Sequence, residues 1–128
     1  MSGAGAVLTA AAAAALGEVA GLNGAYDGPP LQAAFPYATV EAGPESDWSH
    51  KSGEGRELRL AATLRDRGER PARLRALMAA AEAAIAAIGP ELDGWRLVTC
   101  VFLRSRMLRS NDAAWTGWVE FRARMLRE

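Results

Sequence analysis

Hydrophobic positions along the chain recur first at helical and then at strand spacing. Val7, Leu8, Ala11, Ala12, Ala15, Leu16 and Val19 fall three and four residues apart in an alanine-rich run, which predicts a helix over about residues 5 to 20. Gly21, Asn23, Gly24 and Asp27-Gly28-Pro29-Pro30 follow as a cluster of helix and strand breakers, so this segment reads as a loop. Phe35-Pro36-Tyr37-Ala38-Thr39-Val40 is aromatic and β-branched, with the proline where a strand can begin, and predicts the first strand.

The stretch from Gly43 to Gly55 is the most polar and least periodic. It reads as a long loop, beyond the ~2 to 5 residues of a usual hairpin connection, with Trp48 in its middle arguing against simple disorder. A second strand then alternates cleanly: Leu58, Leu60, Ala62 and Leu64 on one face, Glu57, Arg59, Ala61, Thr63 and Arg65 on the other. Pro71 opens a second helix whose stripe of Leu74, Leu77, Met78, Ala81, Ile85 and Ile88 ends at Gly89-Pro90. The stripe spans barely two heptads, which suits packing across a sheet better than a coiled coil.

Residues 95 to 108 are apolar on both phases at their centre (Leu97, Val98, Cys100, Val101, Phe102, Leu103), as expected of a strand covered on both sides. Turn chemistry occupies residues 109 to 114. In the last strand Trp115, Gly117, Val119, Phe121, Ala123 and Met125 alternate with Thr116, Trp118, Glu120, Arg122 and Arg124. The order helix, strand, strand, helix, strand, strand predicts a single α+β domain over residues 1–128, a mainly antiparallel sheet with helices packed on it.

Composition narrows the chemistry. At 128 residues, 50% hydrophobic and 23% charged, the chain suits one globular core that buries roughly two thirds of its unfolded surface. A lone cysteine, Cys100, excludes an intrachain disulfide, and a lone histidine, His50, excludes His-rich metal sites. Ala6 to Leu16 could pass for the apolar core of a signal peptide, but no Lys or Arg precedes it and Gly17-Glu18 ends it early. A docking helix in a cytoplasmic protein, with no membrane partner, is the better expectation.

The neutral net charge conceals an asymmetry. Residues 1 to 55 hold six acids and only Lys51 as a base, whereas residues 56 to 128 hold nine acids and all fourteen arginines. The halves therefore carry −5 and +5, and the arginines are interleaved with apolar residues rather than gathered in a tail. Two complementary faces that meet between subunits would account for this; so would plain solvation.

No catalytic constellation emerges. Cys100 lies in an apolar strand, as an inert thiol would. Asp47, Ser49 and His50 share one loop without the fixed geometry that a nucleophilic triad needs. Gly53-Glu54-Gly55 precedes a strand instead of opening a helix, and Glu45, Asp47 and Glu54 lack the spacing of a calcium loop. Nothing supports a cofactor or a metal. Arg104 and Arg106, with Arg109 beyond them, could form a basic ribbon for phosphate, or a solvated or subunit-facing surface bridged to Glu120. Trp48 in a polar loop and Trp118 on the polar phase of its strand lie outside the expected core, where interface hot spots use such side chains.

Three segments together carry a family resemblance: Tyr26-Asp27-Gly28-Pro29-Pro30 running into Phe35-Pro36-Tyr37-Ala38-Thr39-Val40; Asp47-Trp48-Ser49-His50-Lys51 running into Gly55-Arg56-Glu57-Leu58-Arg59-Leu60; and Trp95-Arg96-Leu97-Val98 with Trp118-Val119-Glu120-Phe121-Arg122-Ala123. Over about residues 5 to 126 the chain resembles the tail-completion, or tail-terminator, family of long-tailed phages and bacterial gene transfer agents. That resemblance implies a non-enzymatic α+β subunit forming a hexameric ring on the finished end of the tail tube. The ring would stop addition of tail tube protein and present a surface to the head-tail connector or stopper protein, first in the cytoplasm and then in the particle. It implies Asp47, Trp48, Ser49, His50 and Lys51 as ring or tube contacts, with Trp118 beside them as an interface candidate. It also admits DNA passing through the ring past Arg104, Arg106 or Arg109. The turn Asn111-Asp112-Ala113-Ala114 departs from the Asp- and Gly-rich turn expected of the family. Outside the resemblance, a small ligand-binding or regulatory module, an enzyme using Asp47 and His50, and a nucleic-acid binder remain alternatives.

Overall fold

The computed structural model describes residues 2–128. Helix α1 (Ala4–Gly17) leads into strand β1 (Ala25–Asp27), β2 (Tyr37–Asp47) and β3 (Gly55–Arg67). Helix α2 (Ala72–Ala86) then precedes β4 (Glu91–Leu92), β5 (Trp95–Arg109) and β6 (Ala114–Arg127). The strands form one sheet in the order β1-β2-β3-β6-β5-β4, antiparallel throughout except for the parallel β1–β2 pair. This is the expected α+β architecture with two short edge strands added.

Both helices lie on the same face of the sheet. Leu8, Ala12 and Leu16 of α1 and Leu74, Leu77, Ala81 and Ile85 of α2 join Val40, Leu58, Leu60, Leu64, Val119, Phe121 and Met125 in one core. Each fully buried leucine or isoleucine there contributes about 1.5–3 kcal/mol. The approach of α2 is close at Gly117, where a Cβ would collide with the Met78 thioether. Trp95 closes the bottom of the core: it is buried, its indole N–H donates to the Ser2 carbonyl at 3.2 Å, and the Arg127 guanidinium covers its ring at 4.3 Å. At the upper end Asp66, almost fully buried, accepts both Arg73 donors at 2.7 and 2.5 Å and so ties β3 to the start of α2.

Two expectations need correction. Residues 43 to 55 are not a long loop. β2 runs through a bulge, with Gly43 and Pro44 set against Arg59, and pairs with β3 as far as Asp47↔Arg56. Gly43, at φ +153°, supplies the backbone turn that the bulge requires. The chain then continues as a hairpin to a tip at Lys51-Ser52, closed by reciprocal His50 and Gly53 backbone bonds of 2.9 and 3.1 Å.

Second, β5 is not covered on both sides. Its Val101 and Leu108, opposite Arg122 and Thr116, lie on the face that no helix covers and are 40% and 54% exposed, and at the sheet rim even Phe102, on the helix side with its ring against Phe121, remains 42% exposed. Two bulges account for its mixed pattern: Val98 and Leu103 each stand without a partner on β6, and each resets which face the next residues occupy.

Candidate assembly surface

The face of the sheet opposite the helices is built from the second phase of each strand. It presents Thr39 and Glu41 from β2, Glu57, Arg59, Thr63 and Arg65 from β3, and Trp118, Glu120, Arg122 and Arg124 from β6. From β5 it takes Arg104 and Arg106. Cross-strand ion pairs lace this surface: Arg104 with Glu120, and Arg124 with Glu57 at 2.8 Å. The neighbouring guanidinium groups hold the Glu57 and Glu120 carboxyls below the usual glutamate range, chiefly through these direct hydrogen bonds. At one place like charges face each other, Arg59 opposite Arg122, and the buried Nε of Arg122 has no partner.

Asp47 through Lys51 form the end of the β2–β3 hairpin. The Ser49 hydroxyl donates to Asp47 at 2.6 Å and accepts the Gly55 N–H at 3.0 Å. Trp48 is half-buried; its ring meets the His50 ring edge-on at 4.6 Å, and Arg124 lies over it at 5.4 Å. Gly55 has no room for a side chain because a Cβ would strike the Trp48 carbonyl, so the hairpin holds Trp48 in place through close backbone contact. His50 and Lys51 stand exposed at the tip. With Ser49 committed to Asp47 and the Gly55 backbone, and the His50 ring to Trp48, these side chains serve hairpin structure rather than a proton relay.

Trp118 belongs to a different part of the same face. Arg106 covers its ring at 4.4 Å, and it lies six residues along β6 from Arg124, roughly 20 Å at strand spacing. The structure therefore does not bring Trp48 and Trp118 together. Nor do the three candidate arginines share one ribbon: Arg104 and Arg106 point to the open face, whereas Arg109 stacks at 5.1 Å on Trp115, which packs against the core on the helix side. Cys100 is half-buried, and that burial raises its thiol pKa. Among the described residues no group of three or more His, Cys, Asp or Glu is placed to hold a metal, and no helix is long and apolar enough to cross a membrane.

Sequence reasoning missed the two sheet edges. β4 pairs only with Trp95 and Arg96, which leaves the outer side of β5 from Leu97 to Arg109 without a neighbouring strand. β1 covers β2 only from Ala38 to Val40, so β2 is equally open from Glu41 to Asp47. Such edges carry unpaired backbone donors and acceptors, and they are where sheets recruit partners. A groove of about 470 Å³ also runs beside α2, lined by Arg75, Met78, Glu82, Met107 and Val119.

Comparison with known proteins gives a consistent picture. The tail completion protein gp17 family matches residues 5–126. A chain from the virion of a native gene transfer agent particle superimposes with a TM-score of 0.78 and 30% identity, over 98% of this chain and 99% of that one. No curated protein matches the sequence.

Proposed function

The chain belongs to the tail completion protein gp17 family, and from that premise we propose that it forms a ring, hexameric in our reading, on the head-proximal end of a tail tube. It is a structural protein of phage or gene transfer agent tails and not an enzyme. The ring stops tube polymerisation and joins the tail to the head connector. Subunits assemble in the bacterial cytoplasm and remain in the finished particle.

The observation that carries this reading is the end-to-end likeness to a gene transfer agent virion chain. The one-sided sheet supports it. An open face laced with charge and two unpaired edges suit a subunit whose neighbours complete it, and a closed ring makes even weak single contacts cooperative. The β2–β3 hairpin, stiffened by the Trp48, His50 and Arg124 stack, serves as the contact with the tube. Trp48→Ala is therefore expected to leave the circular dichroism spectrum and the monomer intact while abolishing assembly. The measurement is solution mass by light scattering, with and without a candidate tail tube protein. Ring formation and tube capping unchanged in that variant would overturn the hairpin's role, and a wild-type chain that never forms a ring in either condition would overturn the ring.

A further inference from the structure

The two edges of the sheet are opposites in charge. β5 carries Arg96, Arg104, Arg106 and Arg109 and no acid, whereas β1 and β2 carry Asp27, Glu41, Glu45 and Asp47 and no base. These strands lie at opposite ends of the sheet order, with β3 and β6 between them. Both edges also expose apolar side chains: Val98, Val101, Phe102 and Leu108 on β5, and Leu31, fully exposed, on the connection from β1 to β2. Both offer unpaired strand, 12 residues on β5 beyond the Leu97 N–H bond to the Pro90 carbonyl and 7 on β2, or roughly 40 and 23 Å of free backbone.

We infer that the outer edge of β5 in one copy docks head to tail against the β1–β2 edge of the next copy. This inference rests on the ring reading above and names its subunit contact. A two-fold contact of β5 with β5 would set arginine against arginine, and β2 with β2 would set acid against acid; like charges directly opposite are destabilising. The complementary pairing avoids both penalties. A contact between two different surfaces repeats from copy to copy, and it closes into a ring when the rotation per step divides the circle. Glu41, which makes no ion pair among the described residues, gains a guanidinium partner in this contact. The apolar β5 side chains lose water at the same time. Arg104 and Arg106 then belong to the boundary between subunits and not to the wall of a channel.

The test uses the full chain and two independent readouts. In a Cys100→Ala background, Ser46→Cys places a thiol on the acidic edge and Ser105→Cys one on the basic edge. With a flexible bismaleimide, the chain carrying both is expected to give a ladder that stops at the ring size, while either alone gives monomer only. For charge, Glu41→Arg with Asp47→Arg cancels the net charge of the acidic edge and sets arginines against the basic edge of the next copy, and Arg106→Glu with Arg109→Glu does the converse on the basic edge. Each double variant is expected to lose the ring while keeping the wild-type circular dichroism spectrum, and their equimolar mixture to regain a ring of alternating subunits. Rings formed by wild type but no ladder, a product that stops at two chains, or cross-links found only to the tube protein would each overturn the edge assignment and leave the ring reading standing. Wild-type protein that forms no ring, with or without tube protein, would remove both.

Discussion

The two faces of this one sheet follow different rules. On the helix side Leu58, Leu60, Leu64, Phe121 and Met125 are sealed from water, and the fold depends on them. On the other side β3 and β6 carry Glu57, Arg59, Arg65, Glu120, Arg122 and Arg124, and the solvent-exposed ion pairs among this surface's charges, such as Arg124 with Glu57, each contribute little to stability. One face holds the chain together and the other is free to specify neighbours. Substitutions should therefore separate cleanly into those read in unfolding experiments and those read in assembly.

The largest effect is expected at Trp95. Its replacement by alanine removes the buried indole, its bond to Ser2 and the stack under Arg127, and should cost about 4 kcal/mol in urea unfolding. Trp118→Ala, the same change on the open face, removes only the half-exposed stack with Arg106 and should cost about 1 kcal/mol. Equal losses at the two tryptophans would collapse the distinction between the faces. Ala113, in the turn between β5 and β6, adopts φ +65°, a left-handed conformation that favours glycine. Ala113→Gly should accordingly raise stability by roughly 0.5–1 kcal/mol, visible as a higher melting temperature.

The smallest and most gradual effect is that of acid. Arginine partners lower the folded-state pKa values of Glu54, Glu57 and Glu120. Their stabilisation is present above the unfolded glutamate pKa of about 4.3 and is lost as pH falls through the lower folded values. Melting temperature should stay level from about pH 7 to about pH 5 and decline below about pH 4, less steeply in high salt, which screens exposed pairs. Loss beginning near neutrality would mean that groups other than these carboxylates dominate.

Much of this was legible in the sequence. Both helices, the two long central strands and the face alternation of β3 and β6 follow from apolar spacing, because each of those strands keeps one unbroken period against a covered and an uncovered side. β5 misled because Val98 and Leu103 interrupt that period twice, so apolar residues fall on both phases without two covered faces. The polar run from Gly43 to Gly55 misled for a related reason: β2 is exposed throughout from Gly43 to Asp47, so no core demands alternation there, although its backbone pairs as far as Asp47. β1 and β4, at three and two residues, are set by pairing rather than by composition. Trp48 and Trp118 were rightly separated from the core by their polar surroundings, but only the register shows that they sit at different ends of the surface. The edge asymmetry was present in the sequence as a charge imbalance; it became spatial once the strand order put β2 and β5 at opposite ends.

The two unmatched residues of β5 have a geometric consequence as well. Each inserts roughly 3.3 Å into β5 that β6 does not share, so the rim of the sheet is longer than the strand just inside it. That surplus length is taken up as curvature, and the bend is fixed by residue count instead of by strain. If copies meet along this rim as proposed above, the bend contributes to the angle from one copy to the next, and deleting Val98 or Leu103 is expected to change the circumference of the ring.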